Sequence, residues 1–448
     1  MSHDRLFGTD GVRGRANAAP LDCETVVKIC RAAARAFSAA GRRVVIGRDT
    51  RVSGAMLEAA AAAGAASAGC DAVLLGVIPT PGVAFAVRDM SAAFGVVISA
   101  SHNPWPDNGV KLFDAGGFKL EDDAEDEIER LAFEKWEPPA LTGGVSRADD
   151  EIRDRYAAFL TGLMPQGFSL AGFRLVIDCG HGATHKVAPA VFRSLGAEIH
   201  ELGTAPDGTN INEGCGSQHT AALSQEVRKR GAHMGFAFDG DGDRAIAVDE
   251  AGKRISGDGI LVLLARHLMD KGRLSGRTVV STVMSNLGLK RALARMGIKH
   301  VVTDVGDRRV LAAMRETGAA LGGEDSGHMI FLPRHTTGDG VLTALMVTAA
   351  VKDRGLLLSE LSALMEVFPQ VLVNVPVARR EPLESLPSVS AAIAEVEQRL
   401  GADGRVLVRY SGTRPVCRVM VEGPTQNETQ KAAEDIASAV REALGENA

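Results

Sequence analysis

At 448 residues the chain exceeds what one hydrophobic core organises, and three or four domains are expected. Apolar residues make up 45% and charged residues 24%, an ordinary globular composition that excludes a disordered chain. The 50 basic and 56 acidic residues are interspersed to a formal charge of −6, which leaves no basic stripe for nucleic acid and no polybasic membrane segment; a small soluble molecule is the expected partner.

The chain opens with "MSHDRLFGTDGVRG", charged and glycine-rich with no apolar leader. Its longest aliphatic run, Ile260 to Ala265, is far too short to cross a bilayer, so a cytoplasmic protein is expected. Cys23, Cys30, Cys70, Cys179, Cys215 and Cys417 show no CxxC spacing and read as small hydrophobes rather than zinc ligands or disulfides. From Arg43 to Ala100 the order "RVVIG", an alanine-rich helical stretch, "DAVLLG", a "PTPG" turn, a helix and "AFGVVISA" predicts a parallel sheet with crossover helices. The acidic run "EDDAEDEIER" from Glu121 reads as a solvated helix face, and the proline-bearing stretch from Glu137 as the approach to a second unit. That unit runs from "FRLVIDCGHGA" at Phe173 through "AEIHEL" to "MGFAFDGDGDRAIAV". A third repeats the grammar with "RTVVSTV", a helix from Asn286, "KHVVTDVGD", another helix and "AALGGEDSG". After Pro369 the texture changes to "VLVNVPV", a long helical stretch, "RVLVRYSGTRP", "CRVMVEG" and a terminal helix. The expected fold is therefore α/β: three similar domains with mixed, largely parallel sheets over residues 1–162, 163–256 and 257–368, and a smaller α+β domain over 369–448.

In each unit an apolar strand ends abruptly in a polar or glycine-rich loop. Ligands of open α/β sheets collect outside the carboxyl ends of strands, so the four loops are expected to face one central cleft. Asp239, Asp241 and Asp243 alternate with glycines after "MGFAF". In an extended segment such positions project to one side, and three converging carboxylates call for a cation; hard oxygen ligands indicate Mg²⁺, one per chain. An EF-hand loop fails because Arg244 stands where its glycine is needed and the flanks are strands. A serine ending "GVVISASHNP", beside metal ligands and without Ser-His-Asp grammar, fits a phosphate carrier better than a hydrolase nucleophile. Residue chemistry leaves Ser99 and Ser101 both open, and His102 suits a hydrogen-bonded turn as well as catalysis. Glu324, Ser326 and His328 in "GGEDSGH" offer donors and acceptors for sugar hydroxyls. Arg409, Arg414 and Arg418 surround Ser411, Gly412 and Thr413, a set suited to a phosphate dianion.

Along nearly its whole length the chain resembles the α-D-phosphohexomutases. "ISASHNP", "DGDGDR" and the "SGT" loop resemble the signature that superfamily shares, while "FGTDGVRG" at Phe7, "PDGTNINEGCGSQH" at Pro206 and "TTGDGVLTAL" at Thr336 are similar to its glucosamine-phosphate branch. The resemblance implies reversible conversion of glucosamine 6-phosphate to glucosamine 1-phosphate through an enzyme phosphoserine, with glucosamine 1,6-bisphosphate or a similar bisphosphate as intermediate and activator. It implies a step feeding UDP-N-acetylglucosamine and cell-wall synthesis, and a monomer or homodimer. By the same resemblance Ser101 carries the phosphate and shares Mg²⁺ with Asp239, Asp241 and Asp243, while Arg13, Lys111 and His102 serve catalysis. Arg244, Glu324, Ser326 and His328 would bind the sugar, and Arg409, Ser411, Gly412, Thr413 and Arg418 the phosphate that is not transferred. Three positions depart from relatives or vary among them: Arg414 replaces the usual glutamate, Arg309 the usual tyrosine, and Asp325 sits at a variable point. Two alternatives are a phosphomannomutase/phosphoglucomutase of broader preference and a catalytically idle sugar-phosphate sensor. Loss of the serine or an aspartate would mark the sensor, and neither is lost. Three carboxylates, Mg²⁺ and a phosphoserine of about −2 leave roughly −3 before substrate arrives, so Arg13, Lys111 and Arg244 are expected to restore balance. Lys111 is also expected to exchange protons with the attacking hydroxyl where its surroundings tune it.

Overall fold

The computed structural model describes residues 5–8, 10–39, 42–137, 144–411 and 415–445. Two compact units emerge: Met1–Met284 with Ile298–Leu364, and Ser285–Gly297 with Met365–Ala448.

The first unit holds three sheets. In the first, β1 (Val12–Arg15), β2 (Arg43–Arg48), β3 (Asp71–Val77), β4 (Phe94–Ile98), β5 (Asp107–Phe113) and β6 (Ser146–Ala148) lie in the order β1-β5-β4-β2-β3-β6. β4, β2, β3 and β6 run parallel, whereas β5 returns antiparallel to both β4 and β1. Strand β4, "FGVVI", is buried at every position, as a central strand covered on both faces must be. The alanine-rich stretch forms the helix Gly54–Ser67 against the helix Cys23–Ala36; a Cβ on Gly64 would stand 2.5 Å from the Val27 carbonyl oxygen, so only glycine permits that approach. Two local expectations change. "PTPG" is not a separate turn but the first turn of the helix Thr80–Asp89, where proline's missing N–H costs no hydrogen bond. The linker expected after Glu137 contributes β6, which extends the first sheet.

The second sheet orders β7 (Arg174–Asp178), β8 (Glu198–Leu202), β9 (Met234–Phe238), β10 (Ala245–Asp249) and β11 (Arg254–Ile255) as β11-β10-β9-β7-β8. The third orders β12 (Thr278–Thr282), β13 (Lys299–Thr303), β14 (Leu321–Gly323) and β15 (Met329–Phe331) as β13-β12-β14-β15. Both are parallel through their centre and close with an antiparallel edge. The acidic run forms the helix Asp122–Phe133, exposed at Asp122, Asp123 and Asp126 as expected. Glu125 differs: it is buried and accepts from Arg308 Nη1 at 2.9 Å, pinning this helix to the third sheet's layer.

The second unit is a wholly antiparallel sheet of β16 (Gln370–Pro376), β17 (Arg405–Tyr410) and β18 (Val416–Glu422), in the order β16-β18-β17, packed on the helices Pro387–Leu400 and Gln426–Leu444. The helix Leu287–Arg295 belongs to this unit: its first N–H, on Leu287, donates to the buried Glu422 carboxylate at 3.0 Å. All six cysteines are free, and among the described residues no helix is long and apolar enough to cross a membrane.

Candidate active site

Strand β9 ends in the turn carrying the three aspartates, all at most 2% exposed. They converge through a turn, not through strand alternation: Gly242 takes φ +74° and its N–H donates to the Asp239 carbonyl at 3.1 Å, curling the segment back on itself. One oxygen from each carboxylate lies within 4.8 Å of the others. Asp241 Oδ1 and Asp243 Oδ1 are buried without a hydrogen-bond partner, although each acid's second oxygen faces a base. Such orphaned hard acceptors fit a divalent cation, the group that relieves them without disturbing the surrounding pairs. Burial, together with the charges of Asp243 and Asp241, drives the Asp239 carboxyl well above the ordinary range.

Strand β4 delivers the serine loop to the same place. Ser101 Oγ donates to Asp239 Oδ2 at 2.6 Å, while Ser99 Oγ points away and donates to Asp49 Oδ2 at 2.5 Å with no exposure. Geometry thereby separates two serines that residue chemistry left equal. His102 Nδ1 lies 3.5 Å from Ser101 Oγ and 3.2 Å from Arg244 Nη1. Burial, then Arg244 and Arg13, lower its pKa, so the ring is neutral and its Nδ1 accepts from the guanidinium.

A chain of alternating charges surrounds the acids. Lys111, in the interior of β5, reaches Asp241 Oδ2 at 2.8 Å and Asp10 Oδ2 at 3.0 Å. Thr80 Oγ1 adds a 2.7 Å hydrogen bond to Asp241 Oδ2. Although burial opposes it, the pairing with Lys111 holds Asp241 below the usual carboxylate range; Lys111 is raised against burial by Asp10, Asp241 and Asp243. The lysine is therefore held as a cation in this arrangement. Arg13 on β1 pairs with Asp10, and Lys119 Nζ reaches Asp10 Oδ1 at 2.7 Å and also pairs with Asp307. Arg244 Nε stands 3.7 Å from Asp243 Oδ1. Sequence reasoning missed Asp10, Thr80, Lys119 and Asp307, although Asp10 lies inside "FGTDGVRG" and Asp307 inside "VGDR".

Glu324, Ser326 and His328 follow β14. Glu324 Oε1 accepts from the Gly306 N–H at 3.2 Å, Ser326 Oγ is buried without a partner, and His328 lies 3.5 Å from Asp307 and 3.8 Å from Asp243 with both ring nitrogens free of hydrogen bonds. A cavity of about 510 Å³ opens among Arg13, Asp243, Arg244, Gly306, Glu324 and His328. Two of the four expected loops, those carrying Asp243 and Glu324, thus line one cavity, and the serine loop joins the aspartate turn through Ser101 Oγ and Asp239. Of the fourth, Arg409 and Arg418 are register partners across β17 and β18 in the second unit, and Ser411 carries a buried Oγ without a hydrogen bond. Gly412, Thr413 and Arg414 lie outside the described residues. Arg309 is an exposed helix residue 3.9 Å from Asp304, and Asp325 accepts from the Asp258 N–H at 3.3 Å at the start of the helix Gly257–Asp270.

Four sequence profiles match in order: phosphoglucomutase/phosphomannomutase alpha/beta/alpha domains I (residues 4–138), II (154–252) and III (256–368), and the C-terminal domain (372–439). The phosphoglucosamine mutase of Syntrophus aciditrophicus is 50% identical over 447 residues, covering 98% of this chain and 100% of its own. That of Syntrophobacter fumaroxidans is 48% identical over 98% of this chain and 99% of its own. Among solved structures, a phosphoglucomutase/phosphomannomutase family protein from Burkholderia thailandensis superposes with a TM-score of 0.82 at 26% identity, covering 99% and 98% of the two chains. The Aspergillus fumigatus N-acetylphosphoglucosamine mutase solved with GlcNAc-6P and magnesium shares the fold at a TM-score of 0.67 and 19% identity, covering 98% and 96%.

Proposed function

The chain belongs to the phosphoglucomutase/phosphomannomutase family, and from that premise we propose that it interconverts glucosamine 6-phosphate and glucosamine 1-phosphate through a phosphate carried on Ser101. The observation that carries the chemistry is the 2.6 Å contact of Ser101 Oγ with Asp239, inside a buried acid cluster with two unpartnered oxygens. Near-half identity to phosphoglucosamine mutases over the full chain supports the amino sugar as substrate. Asp239, Asp241 and Asp243 would hold Mg²⁺ with a phosphoserine oxygen, and the ion would supply positive charge where the transferred group becomes most negative.

In the forward direction the P–Oγ bond of phosphoserine breaks and a bond forms to the free sugar hydroxyl, whose proton is balanced by the one Ser101 Oγ regains. The resulting 1,6-bisphosphate then returns its other phosphate to Ser101. Lys111, Arg13 and Arg244, buried or half-buried around the transfer point, stabilise the equatorial oxygens in both half-reactions. Neutral His102 orients Arg244, and Glu324 and His328 at the cavity, with the unpartnered Ser326 Oγ of the same loop, take sugar hydroxyls. In the second unit Arg409, Ser411 and Arg418, with Gly412 and Thr413, are assigned to the idle phosphate. The cytoplasm, where such sugar phosphates are made, is the matching location.

Turnover of glucosamine, glucose and mannose phosphates by the purified protein with Mg²⁺ and a catalytic amount of glucose 1,6-bisphosphate tests the reading. The expected result is a kcat/KM for glucosamine 6-phosphate at least about tenfold above the others. Equal or higher values for glucose or mannose phosphates would replace it with the broader mutase.

A further inference from the structure

Ser101 is held in a backbone conformation that serine rarely adopts. Its φ is +53°, in the left-handed region where a Cβ meets the following carbonyl. Both of its peptide groups are tied. The N–H donates to Ser99 Oγ at 3.0 Å, itself anchored on Asp49. The carbonyl receives two donors, one from the first sheet's layer and one from the second's: Arg51 Nη2 and Asn212 Nδ2, each at 3.0 Å.

Arg51 is 1% exposed and spends its guanidinium almost wholly on this turn. Nη2 also reaches the Asn103 carbonyl at 2.8 Å, Nη1 the carbonyls of Pro104 and Asp107, and Nε the Asp49 carboxylate at 2.9 Å. Asn212 comes from the "PDGTNINEGCG" loop of the second sheet's layer, a motif the catalytic assignment leaves unused. Its amide bridges the Ser101 and Asn103 carbonyls at 3.0 and 3.3 Å, and two acceptors facing one amide fix its NH₂ end toward them. The loop is seated by two further bonds, Val52 N–H to the Gly208 carbonyl at 2.9 Å and its own Asn212 N–H to the Gly180 carbonyl at 2.8 Å. Gly240, between the first two aspartates, completes the junction: a Cβ there would lie 2.5 Å from the Ser101 carbonyl oxygen and 2.8 Å from Asn212 Nδ2.

We infer that Arg51 and Asn212 are positioning residues for phosphoryl transfer, a two-sided carbonyl clamp that holds the Ser101 turn against the aspartate turn. The inference rests on Ser101 being the phosphate carrier. Neither side chain touches Ser101 Oγ; each acts through the serine's own carbonyl. A transfer of this kind depends on placement of the reacting atom, so loosening the turn costs rate and not substrate affinity.

The test exploits Asn212's own φ of +60°, a conformation that aspartate and glycine also accept. Asn212→Asp keeps the shape but turns a carboxylate oxygen toward two carbonyls, and Asn212→Gly removes the donor without straining the backbone. Both should lower kcat by about 10-fold or more with KM changed less than about threefold. Mn²⁺ affinity, read by electron paramagnetic resonance, should stay at the wild-type value. Phosphate uptake from glucose 1,6-bisphosphate by the dephosphorylated enzyme should slow in parallel with kcat. Arg51→Lys, which keeps the charge and loses the fork, should behave likewise wherever it folds. Wild-type kcat in both Asn212 variants, or a loss confined to KM or to thermal stability, would overturn the clamp. Peptide mapping of the wild-type phosphate to a residue other than Ser101 would instead overturn the carrier assignment, so the two failures are separable.

Discussion

At the scale of single residues, the site turns on how the oxygens of buried acids are divided between bases and unpartnered positions that fit a cation. Asp241 has one oxygen committed to Lys111 and Thr80 and the other left without a partner, so its charge is used on one side and available on the other. Asp241→Asn should keep the fold, because the amide still accepts from Thr80, but weaken Mg²⁺ binding and cut kcat by roughly 100-fold or more. Unchanged Mg²⁺ affinity in that variant, measured by titration calorimetry, would exclude Asp241 as a ligand. The acid cluster was legible in the sequence because "DGDGDR" leaves three carboxylates no solvated alternative beside a buried strand. Residue chemistry alone did not separate Ser99 from Ser101, because both sit at the end of β4; the resemblance pointed to Ser101, and the two differ in the carboxylate each one reaches. Asp10 and Lys119 were illegible for a similar reason: one lies 109 positions from the other, and their pairing exists only once β1 and β5 are neighbours.

At the scale of elements, the helix Gly340–Arg354 shows how a buried cap couples stability to pH. Asp339 caps it by accepting from the Leu342 N–H at 2.9 Å, and also accepts from Tyr156 Oη at 2.6 Å. Burial pushes its carboxyl up to about 6, and burial also lowers His335, 3.6 Å away, to about 3, so no cation answers the charge. A carboxyl raised in the folded state stabilises most fully below its unfolded pKa, and that contribution is lost as pH rises through the folded value. Between about pH 4 and pH 6 the residue should therefore lose roughly 2 to 3 kcal/mol of its contribution. Asp339→Asn removes the titration while keeping an oxygen for the cap. The difference in unfolding free energy between wild type and variant should shift toward the variant across that interval, and a difference flat with pH would contradict the assignment. Helix and strand order were readable from periodicity. The start of the helix Thr80–Asp89 was not, because proline and glycine mark turns and first helical turns alike.

At the scale of the whole molecule, composition and repeated strand-loop grammar were enough to expect three α/β layers and a smaller α+β domain, and the four matched profiles agree with that architecture. What the linear order hides is that the helix Leu287–Arg295 lies with the second unit. Glu422, buried in β18, accepts from the Leu287 N–H, from Arg405 Nε at 2.9 Å and from Gln370 Nε2 at 3.2 Å, while Arg405 Nη2 reaches the Ser285 carbonyl at 2.7 Å. Glu422→Gln weakens these bonds together, so hydrogen exchange should accelerate in residues 287–295 and in β16 while β12 stays protected. Acceleration of 287–295 in step with β12 would assign that helix to the first unit instead. The central claim, that phosphate travels on Ser101, is tested most directly by peptide mass spectrometry after incubation with glucose 1,6-bisphosphate, applied to wild type, Ser99→Ala and Ser101→Ala. One phosphoryl group should appear on Ser101 in wild type and in Ser99→Ala, the latter less stable by about 1 to 3 kcal/mol through loss of its buried bonds to Asp49 and the Ser101 N–H. Ser101→Ala should carry no phosphate and show no turnover. Phosphate on Ser99, or normal turnover by Ser101→Ala, would contradict the account.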